Sequence, residues 1–576
     1  MGHLLSYLKK YKKETVIAPL FKMLEACFDL LVPLIVADII DNGIGRGEGE
    51  TEYILYRFAL LVGMAILGLS CTVVAQYFSA RAAIGTATAL RHNLLAKIGT
   101  LSFTELDTIG TSTLVTRMTS DVNQVQNGIN LFLRLFLRSP FIVFGAMVMA
   151  FIIDPQIALI FVGVILLLFL IVFGMMAITK PRYKRVQNAL DGVTREVREN
   201  LGGVRVIRAF GREELQREEF FEANTRLYHA QMKVGRLSSL LNPLTYLVIN
   251  TAIILILWLG AWQVEDGILS SGDIIALINY VSQILVELVK LANTVITLGK
   301  ASASISRIEE VLETESSIRF GNEDVDREGC EALRFENVSL RYRGAGDESL
   351  SNISFTAMRG ETVGIIGGTG SGKSSLVHLI PRFYDATAGE VFLLGKPIHS
   401  LSKEALLSSV AIVDQRPRLF SGTIRENLLW GKANAGDEEL WRALEIAQAA
   451  DFVREKPEGL DSRVAAGGSN FSGGQRQRLT IARAVVSQAD ILILDDSTSA
   501  LDFATDAALR RALRTLPSYM TVFIVSQRTG SIAYADRILV LEDGELVGHG
   551  THDELLTSSP VYREIYESQF KGEKEA

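Results

Sequence analysis

The chain of 576 residues carries 58 Lys and Arg against 65 Asp and Glu, a formal net charge of −7 and 48% hydrophobic residues, with a mean hydropathy of +0.25. That length exceeds a single hydrophobic core and implies two or more domains, while the negative balance and the lack of a basic tract exclude nucleic acid as the main partner. Three widely spaced cysteines, Cys27, Cys71 and Cys330, form neither a disulfide framework nor a zinc pattern, and the first residues lack the short apolar core and small-residue cleavage site of a signal peptide.

The apolar excess concentrates before residue 300 in six runs, 15–40, 53–78, 132–153, 155–178, 239–264 and 274–298. Each is near or above the ~20 residues that a helix needs to cross a bilayer. Backbone polar groups must be satisfied internally in lipid, so six transmembrane helices are predicted. Asp154-Pro155 alone marks the junction of the third and fourth runs, which demands a tight hairpin.

Loop charges set the orientation. Lys9, Lys10, Lys12 and Lys13 precede the first run; Arg81, Arg91, Lys97 and Arg117 lie between the second and third. Between the fourth and fifth lie Lys180, Arg182, Lys184, Arg185, Arg195, Arg198, Arg205 and Arg208. Residues 41–51 hold one Arg among three acids, and 265–272 hold no base. The positive-inside rule therefore predicts both termini and the two long loops in the cytoplasm. Both loops have helical periodicity, so the spans should run on well beyond the bilayer at ~1.5 Å per residue. Breaks are expected at Asp107-Thr108-Ile109-Gly110-Thr111 and Ala209-Phe210-Gly211-Arg212-Glu213, where a helical hairpin tip can touch another domain.

Several charges fall inside the runs: Lys22, Glu25 and Asp29 in the first, Arg134 and Arg138 in the third, Glu287 and Lys290 in the sixth. Such groups face a protein interior or a water-filled cavity and are functional candidates. The alternatives are an i,i+3 pair for Glu287 and Lys290 and snorkelling to the cytoplasmic interface for Arg134 and Arg138. Asn242 and Asn250 in the fifth run are expected to hydrogen-bond between helices.

Residues 315–330 are polar, acidic and turn-rich and read as a linker between a membrane domain, 1–314, and a second domain, 331–576. In the latter, short strands, glycine turns and amphipathic helices alternate. Residues 363–366 are a predicted buried strand that runs into Gly367-Gly368-Thr369-Gly370-Ser371-Gly372-Lys373-Ser374 and then Ser375 and an apolar helix. This is the P-loop pattern in its strand–loop–helix setting. Its glycines let backbone N–H groups converge on phosphate oxygens. Lys373 can reach the β- and γ-phosphates of ATP, and the Ser374 hydroxyl can ligate Mg²⁺. Ile491-Leu492-Ile493-Leu494-Asp495-Asp496 reads as a strand buried on both faces with two carboxylates at its end. Such strand ends are where α/β folds bind ligands, and Asp495 has the place of the Walker B acid that holds Mg²⁺.

Between these motifs lies Asn470-Phe471-Ser472-Gly473-Gly474-Gln475-Arg476. Here the sequence resembles the ATP-binding cassette (ABC) transporters, whose signature reads LSGGQ, with Phe471 in place of the Leu. The resemblance covers almost the whole chain, six spans followed by a cassette, as in an exporter half-transporter. It implies a six-helix all-α transmembrane domain with long cytoplasmic helical extensions, followed by an α/β P-loop nucleotide-binding domain. It also implies that Tyr342 stacks on adenine and that Gln415 touches Mg²⁺ and water. Ser499-Ala500-Leu501-Asp502 is similar to the D-loop, and the two helical breaks are similar to coupling helices docked on the cassettes. Two cassettes close head to tail in this family, each ATP lying between one P-loop and the other's Ser472, Gly473, Gly474 and Gln475, so a dimer is implied.

Two residues depart from the family. Its brisk hydrolases have Glu directly after the Walker B Asp, where this chain has Asp496, one methylene shorter. The family pattern has His at Gln527, which can donate a hydrogen bond but cannot become cationic. Together they imply a site that binds ATP well and cleaves it poorly, in a heterodimer whose partner P-loop is completed by this chain's intact signature. The sequence is thus read as one half of a bacterial multidrug-type exporter in the inner (plasma) membrane, acting on hydrophobic small molecules. A lipid or peptide exporter, a homodimer, and an ATP-binding regulator without transport are the alternatives.

Overall fold

The computed structural model describes residues 7–44, 50–497 and 501–570, and the chain divides into two compact units, Met1–Lys97 with Ser112–Glu313, and Ile98–Thr111 with Thr314–Ala576.

The first unit is helical: α1 (Lys12–Gly43), α2 (Glu50–Ile98), α4 (Thr111–Ile153), α5 (Pro155–Ala209), α6 (Glu213–Ser238), α7 (Leu241–Glu265) and α8 (Ser271–Glu313). The short α3 (Phe103–Ile109) belongs to the other unit. Among the described residues, five spans, 51–98, 111–153, 155–209, 213–265 and 271–313, are long and apolar enough to cross a membrane. α1 has the length, but Lys22, Glu25, Asp29 and Asp38 are strung along it, so apolar content alone does not mark it as a span.

Asp154 makes the predicted hairpin. Buried at the N-cap of α5, its Oδ1 accepts from the Ile157 N–H at 2.7 Å, and Pro155 occupies the first helical turn, where no N–H is missed. Ile157, Phe161, Leu168, Ile256, Leu277 and Ile284 belong to one buried core of this unit. Helices approach closely at small residues: a Cβ on Gly128 would lie 2.3 Å from that of Ala301. α5 continues roughly 45 Å past its apolar stretch, at ~1.5 Å per residue, to a turn where Gly211 takes φ +59° and Phe210 is 76% exposed.

The intramembrane charges resolve the two alternatives. Arg138 does not snorkel: it bonds Asp29 and Glu287, each at 2.7 Å, with Glu25 at 3.8 Å. Arg134 bonds Asn130 on its own helix at 3.2 Å. Glu287 does pair with Lys290 at 2.9 Å, but it also accepts from Ser139 at 2.7 Å, so the pair is one part of a network across helices. The expectation for Asn242 and Asn250 is corrected. Both are exposed, and neither side chain has a hydrogen-bond partner among the described residues, because Thr245 and Ile249, not these amides, turn to the core.

The second unit is built on a six-stranded sheet. In chain order its strands are β1 (Glu331–Leu340), β2 (Leu350–Met358), β3 (Thr362–Gly367), β4 (Ala388–Leu393), β5 (Lys396–Pro397), β6 (Val410–Val413), β7 (Gly422–Thr423), β8 (Arg463–Val464), β9 (Ile491–Asp495), β10 (Thr521–Val525), β11 (Arg537–Glu542) and β12 (Glu545–Gly550). The main sheet runs β12-β11-β3-β10-β9-β6, parallel except for β12; a four-stranded antiparallel sheet runs β2-β1-β4-β5. β9 and β10 are buried along their entire length, as their unbroken apolar runs require of a strand covered on both faces. Residues 315–330 do not hang free: Gly321 donates to the Leu401 carbonyl at 2.9 Å, and Glu323 bridges to Leu401.

α3 packs within this unit. Phe103 lies 4.5 Å from the Phe383 ring, and Tyr384 donates to Asp107 at 2.6 Å. Burial opposes ionisation of Glu105, but hydrogen bonds from Ser102 and Ser317 outweigh it and hold the carboxyl below the usual carboxylate range. A depressed folded pKa stabilises above the unfolded value of about 4.3 and ceases to do so as pH falls through the folded value. Amide-exchange protection of residues 102–110, corrected for intrinsic rates, should therefore drop as pH is lowered below about 4. Glu105→Gln should lower that protection at neutral pH and abolish its pH dependence.

Candidate functional site

Strand register assembles the site. Val525 lies opposite Ile365 on one side and Asp495 on the other, and Val413 lies opposite Leu494. Four parallel strands therefore end level, and the residues that follow, the P-loop from Gly367, Asp496, Gln527 and Gln415, emerge at one carboxyl edge.

The P-loop closes over that edge. A Cβ on Gly367 would lie 2.1 Å from the Leu541 carbonyl, so the strand can leave the sheet here only as glycine, and Gly372 turns into α9 (Lys373–Leu379) at φ +94°. A Cβ built on Gly368 or Gly370 would meet nothing within 4 Å, so the outer side of the loop is open to an approaching group. Lys373 is buried, its amine pKa lowered by burial against the pull of Asp496 and Asp495. Its Nζ donates to the carbonyls of Gly367 at 3.0 Å and Gly368 at 2.6 Å and to Ser371 at 3.3 Å. These are neutral acceptors; a phosphate oxygen is a stronger one.

Ser374 donates to Asp495 at 3.3 Å. Burial drives the Asp495 carboxyl above its ordinary range, against the Ser374 hydrogen bond and His378. A nearly enclosed acid beside a hydroxyl is a donor set that a hard cation would stabilise, so these residues fit Mg²⁺. Gln415 donates through Nε2 to Asp496 at 3.2 Å. Asp496 takes φ +44°, a backbone conformation that Asp tolerates better than most side chains.

A cavity of ≈ 670 Å³ unites Thr369, Gly370, Gly372, Lys373, Ser374, Ser375, Gln415, Asp496 and Gln527. Its remaining wall, residues 345–349 with Asp543 and Gly544, was not anticipated. The Asp543-Gly544 pair is legible as a hairpin turn between β11 and β12, but nothing local says that this turn faces the P-loop. Tyr342 stands one residue back: it lines a neighbouring cavity and donates to Ser375 at 3.0 Å.

The signature residues are not brought to this cavity. Ser472 caps α10 (Gly473–Val486) in a capping box with Gln475: Ser472 N donates to Gln475 Oε1 at 3.0 Å, and Gln475 N to Ser472 Oγ at 3.3 Å. Ser472 and Gly473 are exposed, and a Cβ built on Gly473 would meet nothing within 4 Å, so this helix start is open to solvent. Phe471 is a buried anchor, with Phe452 edge-on at 6.4 Å and the Lys456 ammonium 4.6 Å from its ring. Of the D-loop, Ser499 and Ala500 lie outside the described residues. Asp502 caps α11 (Phe503–Leu513) by accepting from Thr505 at 2.9 Å.

A family model described as ABC transporter transmembrane region matches residues 15–288, and one described as ABC transporter matches 350–499. The chain belongs to the ABC transporter family. It is 36% identical to the uncharacterized ABC transporter ATP-binding protein YfiB of Bacillus subtilis, over 100% of this chain and 99% of that one. It is 32% identical to the ATP-dependent lipid A-core flippase of Hahella chejuensis, over 99% and 97%. Its fold matches a bacterial Atm1-family ABC exporter solved with ATP bound at a TM-score of 0.81, covering 97% of this chain and 99% of that one at 22% identity. The cassette is thus an ATPase coupled to transport, fused to a multi-pass membrane domain.

One positioning residue escaped sequence reading. Gln569, on α12 (Pro560–Phe570), donates to the Gln527 carbonyl at 2.7 Å and accepts from the Thr529 N–H and hydroxyl, each at 2.9 Å. Gln569→Ala leaves buried donors of Thr529 unpaired, at about 1–3 kcal/mol. Amide exchange at residues 527–529 should accelerate and the cassette's thermal midpoint should fall.

Proposed function

We propose that the chain is one subunit of a heterodimeric exporter of hydrophobic or amphipathic compounds, of the multidrug type, in the cytoplasmic membrane. The observation that carries the heterodimer is the pair Asp496 and Gln527 on the wall of one cavity with Lys373. In this reading the backbone of Gly367 to Gly372 and Lys373 cradle the phosphates. Ser472 to Gln475 complete the partner's site, and Tyr342 supports the adenine pocket. Mg²⁺, when bound, neutralises charge on the phosphate oxygens; Ser374, Asp495 and Gln415 would hold it.

Asp496 orients the attacking water from a carboxylate set back by roughly 1.5 Å, one C–C bond. Misplacement of about 1 Å costs on the order of 100-fold in rate. Gln527 donates a hydrogen bond but adds no positive charge as the transition state develops. The site is a long-lived nucleotide holder, and turnover takes place at the partner's P-loop.

α1 is the sixth crossing. Its charges have partners that make burial tolerable: Lys22 with Glu25 at 2.5 Å, Asp29 with Arg138 at 2.7 Å and Asp38 with Arg57 at 2.6 Å. With six crossings, both termini and the cassette lie on the cytoplasmic side. The lipid A-core flippase relative favours a second reading, export of a lipid.

The chain purified alone in lipid should hydrolyse ATP slowly, and the pair with its partner subunit briskly. Asp496→Glu with Gln527→His should raise turnover of the chain alone by about 100-fold, the reverse of the misplacement penalty. Brisk, substrate-stimulated turnover of the unaltered chain by itself would overturn the heterodimer.

A further inference from the structure

The membrane unit holds a cavity of ≈ 310 Å³ where α1, α4 and α8 meet, walled by Asp29, Arg138, Asn279, Gln283, Glu287 and Lys290 among others. We infer that this cavity is the recognition site for a zwitterionic amphiphile, whose cationic group would bind Asp29 and whose anionic group would bind Lys290. The inference deepens the exporter reading and rests on it.

The charges sort themselves by exposure. Arg138 and Glu287 form the buried centre, their side chains 11% and 5% exposed, while Asp29 and Lys290 at the two ends are 43% and 45% exposed. A network that served packing alone would enclose all its members. This one keeps one anion and one cation open on a cavity.

That open side cannot face lipid. Asn279, Gln283, Glu287 and Lys290 follow one another on α8 at three- and four-residue steps and share one helix face. A polar, charged face within a bilayer turns to protein or to water. All three helices bring their charges to one depth. Asp29, Arg138 and Glu287 lie roughly 21–24 Å, at ~1.5 Å per residue, from the outward ends of α1, α4 and α8. Two buried polar atoms at this place, Nε of Arg138 and Oε1 of Gln283, have no partner among the described residues. Buried orphans of this kind call for a water or a ligand.

Neutrality selects the class. Lys22, Arg138 and Lys290 balance Glu25, Asp29 and Glu287. A simple cation or a simple anion would leave the site with an uncompensated charge in a low-dielectric setting, which is costly. A zwitterion engages both open ends and leaves the sum at zero.

The test uses the full chain in the assembly in which it is recovered, in nanodiscs of phosphatidylglycerol, so that no zwitterionic lipid competes. The probes are fluorescent lysophosphatidylcholine and, with the same chain length, an alkyltrimethylammonium and an alkyl phosphate. Lysophosphatidylcholine should bind at least about tenfold tighter than either, the scale of one charge-assisted hydrogen bond. Asp29→Asn and Lys290→Gln should each remove that advantage, with thermal unfolding as the check on folding. Asn279→Leu, on the same face but outside the ion pairs, gives a second variant that should weaken binding if either charge variant fails to fold. Equal affinity for the three probes, or selectivity untouched by all three substitutions, overturns the proposal.

Adding phosphatidylethanolamine to the nanodisc separates the sources. Competition supports a resident lipid headgroup, and lack of competition supports an amphiphile arriving from water. Vesicle flux is measured in parallel. Selective binding without vectorial movement would overturn the exporter reading and leave the site standing; dye flux with unselective binding would do the opposite.

Discussion

The level ending of four parallel strands is the constraint on which the cassette depends. Hydrogen-bonded pairing sets Ile365, Val525, Asp495 and Val413 within one residue of a common line. The loops that follow must therefore leave the sheet side by side. A one-residue slip in β9 would turn its carboxylate away from the P-loop. The continuous burial of β9 and β10 forbids that slip, since any polar residue drawn into the sheet would lose its solvation. Chemistry at the edge is thus held in place by hydrophobic strands that take no part in it.

A second constraint operates in the membrane unit, where charge must be matched rather than avoided. Arg138 is shared between Asp29 on α1 and Glu287 on α8, and Ser139 adds a further donor to Glu287. Three helices are tied at one point by bonds that are strong because the surroundings are poor in water. Removing any single member would strand its partners, so the network constrains how these helices move apart. Lower on the same helices, Asp121 accepts from Arg117 at 2.9 Å and from Ser304 at 2.9 Å and also pairs with Arg307, a second clasp of α4 to α8. It sits at the end of a π-helical turn, Arg117–Asp121, of the kind that recurs at functional places in helices.

Elements with a strong local signal were legible from sequence. The P-loop was legible because glycine spacing, Lys373 and the preceding strand are contiguous. The same holds for the hairpin at Asp154, where cap and proline are adjacent, and for the helical breaks at Gly110 and Gly211, which have φ +81° and +59°. What escaped was set by distance in the chain. Gln569 lies 42 residues from Gln527, and the Asp543-Gly544 turn reads as an ordinary hairpin until β11 is placed beside β3. Asn242 and Asn250 were misjudged because composition reports polarity but not the direction of a side chain on its helix.

The sequence by itself determined the two-part organisation, the nucleotide chemistry and the departures Asp496 and Gln527, because each rests on contiguous residues whose meaning is local. Tertiary structure alone decided that both departures line one cavity with Lys373, that the signature helix start stands open and away from that cavity, and that Arg138 joins three helices instead of reaching for the interface. The physical reason is common to all three. Strand pairing and helix packing bring together residues far apart in the chain, and no local propensity encodes which buried charge will meet which.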